Sequence, residues 1–207
     1  MPAGTERISS NRACHLVQFY ADDDALIEHV AGYLADGIED GEMVVVVATA
    51  AHRLAFDASL VARGIDLTSA RASGYYVVLD ALATMRQFVV ADWPDAAGFE
   101  ATVGALIRQA HRTGRPVRAY GEMVALLWDE GHVNAAIELE GLWNALAGEL
   151  PFSLFCAYPT EAVSGEDHLD AFTEVCRLHT AVVGEPAVAA SAADELPEND
   201  YVWVTIV

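Results

Sequence analysis

Acidic and aromatic side chains recur through one apolar stretch of this chain, and their spacing is what could carry chemistry. Between Arg115 and Pro159 the sequence reads RPVRAYGEMVALLWDEG, then AAIELEGLWNAL, then PFSLFCAYP, setting Glu122, Trp128, Glu140 and Trp143 among apolar neighbours. Acids in such surroundings must cap a helix, pair, or bind something, because an unpaired buried charge is costly. Glu122 follows Gly121 at the end of an apolar run. It either caps the next helix or accepts hydrogen bonds from a bound small molecule. Glu140 lies at the edge of a helical stripe formed by Ala136, Leu139, Trp143 and Leu146. It is either a rim acid paired with an arginine or a carboxylate lining an aromatic pocket with Trp143. Trp128 and Trp143 read first as core and second as ligand walls.

His15 opens the run HLVQFY and shares a strand face with Val17 and Phe19. It reads as a core or rim residue, or as a ligand contact. HxH and HExxH spacings are absent and the seven histidines are scattered, so no metal ligand set is expected. No GxSxG and no nucleophile with an evident base is present. Cys14, Cys156 and Cys176 lack CxxC spacing and read as inert buried thiols.

The elements that must position these groups alternate along the chain. CHLVQFY is a first strand, and Asp22–Asp24 offer a cap to a helix carrying Leu26, Ile27, Val30 and Leu34. MVVVVAT is continuously apolar, as suits a parallel strand covered on both faces. A helix over 50–63, a strand over 75–79 ending at Asp80, and helices over 81–90 and 99–111 around a DWPDAAG loop follow. A strand over 117–120, helices over 123–129 and 133–150, a strand over 153–158 and a helix over 166–180 complete the reading. Such alternation predicts a three-layer α/β/α domain with a mainly parallel central sheet. We place a disordered leader at 1–13, the folded domain at 14–181, an acidic linker at 182–200 and a strand-forming tail, YVWVTIV, at 201–207. The tail adds a strand to its own sheet or to a partner. Ligands of open parallel sheets sit outside the carboxyl ends of the strands. That rule groups Tyr20, Asp22, Thr49, His52, Asp80, Glu122, Tyr158 and Thr160.

Composition excludes several functions. The formal net charge is −20, and all 11 basic residues are arginines. Without lysine there is neither a phosphate-loop lysine nor a Schiff base, so ATP hydrolysis and pyridoxal chemistry are not expected. YYVVLD resembles a Walker B strand, but YADDDAL stands where a phosphate loop would be, and Asp80 reads better as a helix cap than as a magnesium ligand. The net charge disfavours direct nucleic-acid binding. Arg108, Arg112, Arg115 and Arg118 form one basic cluster, read as a solvated helix end or an anion patch. No apolar run reaches the roughly 20 residues of a membrane span. No signal peptide is legible, so the expected residence is cytoplasmic. We expect no cofactor and no enzymatic activity.

Taken in order, HLVQFYADDDALIEHVAGYLADGIEDGE, GRPVRAYGEMVALLWDEG, ELEGLWNAL and FSLFCAYP resemble the MEDS domain, from about Cys14 to Thr180. That is the sensory domain named for methanogens, methylotrophs and the dichloromethane-responsive regulator. The resemblance implies a RecA/KaiC-like fold without a phosphate loop, and sensing of small molecules such as hydrocarbon derivatives in transcription regulation and signalling. His15, Phe19 and Tyr20 match the family's opening signature. Tyr120, Gly121, Glu122, Trp128, Glu140, Trp143 and Tyr158 match its later block.

The expected function is therefore a stand-alone sensory module. Tyr20, Trp128, Trp143 and Tyr158 would wall a small, partly apolar ligand at the carboxyl end of the sheet, while His15, Glu122 and Glu140 orient its polar groups. The signal would pass to a protein partner through the tail or the loop around Trp93, and a homodimer is compatible with this reading. The alternative is a ligand-free interaction protein regulating an anti-sigma or kinase system. A third reading is a metal-dependent enzyme using His15, His52, Asp80 or Glu122.

Overall fold

A reversal in the direction of travel through the sheet decides which face each helix covers. The computed structural model describes residues 13–163 and 168–183, together with the backbone of 202–204. Strand β1 (His15–Tyr20) leads through α1 (Asp23–Glu39) to β2 (Met43–Ala48), and α2 (Ala50–Ala62) and α3 (Leu67–Ala72) lead on to β3 (Tyr76–Asp80). Beyond it come α4 (Ala81–Met85), a hairpin of β4 (Val89–Val90) and β5 (Trp93–Pro94), then α5 (Ala96–Phe99) and α6 (Ala105–His111), joined by a π-helical turn. Next are β6 (Val117–Gly121), α7 (Met123–Asp129), α8 (Val133–Glu149), β7 (Ser153–Pro159), α9 (Thr160–Val163), α10 (Leu169–Leu178), β8 (Ala181–Val183) and β9 (Val202–Val204). The main sheet runs β3-β2-β6-β7-β1-β8-β9, and every neighbouring pair in it is parallel.

From β1 to β3 the chain steps toward one edge, and from β3 to β8 it steps back. Parallel crossovers are right-handed, so the reversal puts α1–α3 on one face and the later helices on the other. Two cores result. Leu26, Val30, Leu34, Phe56 and Leu60 pack over Leu16, Val44, Val46, Tyr120 and Phe155. On the opposite face Val103, Ile107, Leu127, Leu139 and Trp143 pack over Val17, Val45, Ala119, Cys156 and Tyr158. Central strand β2 is buried at all six positions, which is why it reads as a continuous rather than an alternating apolar run. The expected α/β/α fold is the one observed.

Several boundaries differ from expectation. The helix expected over 81–90 stops at Met85, and the chain turns into the β4–β5 hairpin through Ala91 and Asp92, both with positive φ (50° and 62°). A two-residue turn of this hand matches the twist of the strands it joins. The short helix α3 was not foreseen. Val182 and Val183 were assigned to the acidic linker, but they pair with Val17 and Gln18 as part of β8, so the folded unit extends through them. The proposed leader up to 12 and linker residues 184–200 lie outside the described residues. Of the tail, the backbone of Val202–Val204 runs parallel to β8 of the same chain. No helix among the described residues is long and apolar enough to cross a membrane.

The arginine cluster divides: Arg112 is exposed at the end of α6, as a solvated helix end should be, whereas Arg118 is buried. Arg118 is 1% exposed and donates to both carboxylate oxygens of Glu42, at 2.5 and 3.2 Å. It also donates to the Tyr33 carbonyl at 2.8 Å, and its guanidinium stacks over the Tyr33 ring. Its neighbours disperse: Arg115 donates to the Gly41 carbonyl, and Arg108 pairs with Glu100 and Glu149.

Candidate functional site

Two polar constellations stand out. The first lies at the carboxyl end of the sheet, where β2 feeds a helix on one face and its neighbour β6 feeds a helix on the other. A crevice is expected at such a switch point. Glu122 leaves β6 there and makes no side-chain cap to α7, contrary to one of its expected roles. It reaches instead across to the end of β2. Its Oε2 accepts from the Thr49 backbone N–H at 2.7 Å, and its Oε1 lies 2.5 Å from His52 Nδ1. The hydrogen bond to Glu122 raises the His52 pKa against the pull of burial. His52 Nε2 lies 3.7 Å from the exposed Asp23 carboxylate. Tyr20 is half-buried nearby; burial, then the Glu122 charge, push its hydroxyl up. Asp80 accepts from the Ala83 N–H at 2.8 Å, as a helix cap, and from Arg53 at 2.7 Å. It sits on edge strand β3, separated from β1 by β2, β6 and β7.

The second constellation is buried between the sheet and helices α8 and α10. Parallel pairing of β1 with β7 sets Val17 beside Cys156 and Phe19 beside Tyr158, so His15, Cys156 and Tyr158 share one face. Glu140 of α8 projects onto it and is 0% exposed. The arginine-paired rim reading of Glu140 is thereby overturned. Tyr158 donates its hydroxyl to Glu140 Oε1 at 2.6 Å, and Cys156 Sγ lies 3.5 Å from Oε2. His15 Nε2 is 3.2 Å from Oε2 and 3.4 Å from Cys156 Sγ. His179, at the end of α10, brings its Nε2 within 3.5 Å of Oε1, and the two imidazole centroids are 3.9 Å apart.

The protonation pattern follows from the outer partners. Asn144 donates its Nδ2 to the Leu178 carbonyl, so its Oδ1, 2.9 Å from His15 Nδ1, receives a hydrogen from that ring. The Val175 carbonyl can only accept, so His179 Nδ1, at 2.6 Å, carries the hydrogen there. Burial pushes the His179 imidazole down to about 4, leaving it neutral at pH 7 with a bare Nε2. Burial by itself would raise the Glu140 carboxyl; the facing His179, His15 and Tyr158 groups outweigh that and hold it at about 2. Burial, then the Glu140 charge, push the Cys156 thiol well up.

A cavity of about 240 Å³ reaches the outer side of this network. It is lined by Trp143, Phe152, Leu154 and Ala147, with His15, Asn144 and Thr180 as polar members. His15 begins β1 and Leu154 lies one residue into β7, so this space is at the amino-terminal end of the strands, opposite to the expected end. Thr180 Oγ1 accepts from the His15 backbone N–H at 2.9 Å and donates to the His15 carbonyl at 2.8 Å.

The seven expected ligand residues therefore divide. His15, Glu140 and Tyr158 meet in the buried network. Trp128 packs edge-on against Tyr158 and donates its indole N–H to the Ala162 carbonyl. Trp143 walls the cavity and packs edge-on against Phe99. Tyr20 and Glu122 belong to the carboxyl-end constellation. Sequence reasoning passed over Cys156, His179 and Asn144 as site residues. No local spacing marks them; the lone signal was Cys156 lying two residues before Tyr158 on one strand face.

Compared with known proteins, residues 14–180 match the family model described as MEDS, the methanogen/methylotroph, DcmR sensory domain. No curated protein and no solved structure matches the chain. The match covers most of the chain, and with it the strands and helices that build both constellations, so the chain belongs to the MEDS family of sensory domains.

Proposed function

We propose that this chain is a small-molecule sensory module whose ligand occupies the cavity beneath α8 and whose output runs through β8 to a protein partner. The observation that carries the reading is the contact of a mixed apolar and polar cavity with His15 and Asn144, the outer members of the Glu140 network. Its volume equals roughly eight waters, suiting a ligand of a few carbons. Trp143, Phe152 and Leu154 offer apolar contact, and His15, Asn144 and Thr180 offer hydrogen bonds. Thr180 links the cavity to β8, the strand it immediately precedes, and β8 pairs with Val202–Val204. A ligand that moves the Thr180–His15 hinge shifts that edge, provided it binds the two positions with different affinity.

The binding reading is favoured over an enzymatic one. Cys156, His15 and Asn144 follow the order nucleophile, base, orienter, yet Cys156 is 0% exposed and its thiol is pushed up rather than activated. Thermal shift of the full chain against short-chain alcohols, ketones and haloalkanes tests the proposal. We expect at least one to raise Tm, and Ala147→Phe, which fills the cavity, to abolish the rise while circular dichroism stays unchanged. A rise that survives Ala147→Phe places the ligand elsewhere. Lack of any rise, together with native mass spectrometry showing no retained small molecule, overturns the reading.

A further inference from the structure

We propose that His15, Glu140, Cys156 and His179 form a binding site for a divalent transition-metal ion, with zinc as the reference cation. The four ligand atoms all lie within 4.8 Å of one another. The separations of His15 Nε2 from Glu140 Oε2 (3.2 Å) and Cys156 Sγ (3.4 Å), of Cys156 Sγ from Oε2 (3.5 Å), and of His179 Nε2 from Oε1 (3.5 Å) are the relevant ones. A tetrahedral zinc with ordinary bonds to nitrogen, oxygen and sulfur spans edges of roughly 3.3–3.7 Å. The triangle of His15 Nε2, Glu140 Oε2 and Cys156 Sγ thus already has the edges of a coordination polyhedron, and His179 Nε2, within 4.8 Å of the other ligand atoms, would close on it when an ion binds.

The outer shell points the same way. Each imidazole donates its Nδ1–H outward, His15 to Asn144 Oδ1 and His179 to the Val175 carbonyl, which turns both Nε2 lone pairs inward. Ligating histidines are oriented in this manner by their second partners. Asn144 is itself fixed by the Leu178 carbonyl, and the Tyr158 hydroxyl holds Glu140 Oε1. His179 Nε2 is buried and has no hydrogen-bond partner among the described residues, although a carboxylate oxygen faces it. Two inward lone pairs beside a buried carboxylate form a converging donor set, and a cation between them would compensate the carboxylate's charge. A divalent ion with a carboxylate and a thiolate sums to neutral, the charge state cheapest to bury. Uptake would release the Cys156 thiol proton to solvent. Cysteine, two histidines and a carboxylate suit zinc, cobalt or iron and do not suit magnesium or calcium. The site stands on these side chains alone and is independent of what fills the cavity.

Cobalt(II) added to full chain stripped with EDTA tests the site. One equivalent should bind, give tetrahedral visible bands with a sulfur-to-cobalt charge-transfer band, and be displaced by zinc. Cys156→Ser should lose the charge-transfer band, while a Cys14→Ser/Cys176→Ser double variant keeps it. Asn144→Ala should weaken affinity by about 10–100-fold through ligand orientation. Ala147→Phe, which blocks the cavity, should leave the cobalt spectrum unchanged, so metal and sensor readings fail separately. No stoichiometric uptake by the wild type, or a charge-transfer band lost only in the double variant, overturns the proposal.

Discussion

Glu42 and Glu140 are buried to the same depth, and the environments built around them are opposite in kind. Glu42 meets the guanidinium of Arg118, whose permanent charge and fixed fork match both carboxylate oxygens. Arg118 spends a further donor on the Tyr33 carbonyl. That constellation is complete as it stands. Glu140 meets two imidazoles, a thiol and a phenol. None of these carries a permanent charge, and one nitrogen in the group has no hydrogen-bond partner among the described residues. A carboxylate in the first setting is structural, because removing either member strands the other. In the second setting the proposed role is that of a receptor, because the groups around it are ligand types that a cation would draw together. On the readings proposed above, Arg118–Glu42 serves stability and the Glu140 network serves binding.

Breaking the complete pair should give the largest effect. Arg118→Leu leaves Glu42 buried without a counter-charge and should cost about 3–5 kcal/mol in urea unfolding. Adding Glu42→Met should recover much of that loss; no recovery would mean that Arg118 matters for packing against Tyr33 rather than for its charge. Glu140→Gln sharpens the other side of the comparison. The amide can still accept from Tyr158 and now offers a donor to an imidazole Nε2. Metal-free stability should therefore fall by less than for Arg118→Leu, because the amide keeps partners that the stranded Glu42 loses. A loss as large as that of Arg118→Leu would make Glu140 structural and dissolve the contrast.

The smallest expected effect lies in the carboxyl-end pair, where Glu122 is buried but His52 is only partly so. The folded-state pKa of His52 is raised, chiefly by its hydrogen bond to Glu122. Its stabilising contribution is therefore fully present below the unfolded imidazole value of about 6.5 and is lost as pH rises through the folded value. Relative to wild type, His52→Gln should flatten the fall in Tm on the alkaline side of that range. Identical Tm profiles for the two proteins would separate His52 from Glu122 in solution.

How much of the site was legible varied residue by residue. Glu122 could be found as an acid at a strand end, because the apolar run before it and the helix after it are both visible in sequence. Its partner could not, since His52 meets it only because β2 lies beside β6. Glu140 was visible as a misfit on an apolar helical stripe, yet sequence could not tell an exposed rim from a core. The helix expected over 81–90 failed for a similar reason. ALATM continues well as a helix, but Phe88 and Met85 are pulled into the core beneath it, and the chain leaves by a hairpin.

By itself, the sequence determined the alternation of elements, the parallel character of the central strands and the lack of a phosphate-loop lysine. These depend on local periodicity and on which residue types are present. Tertiary structure alone decided that the folded unit continues through Val183, that the cavity opens at the amino-terminal end of the strands, and that His15 meets Cys156 across 141 residues of chain. Periodicity tells a strand which face to bury but not which strand will lie beside it. The pairing of β1 with β7, and the packing of α8 and α10 over that pair, follow from the whole set of crossovers competing for one sheet. Four ligand-type side chains from four separate elements become neighbours only once that competition is settled.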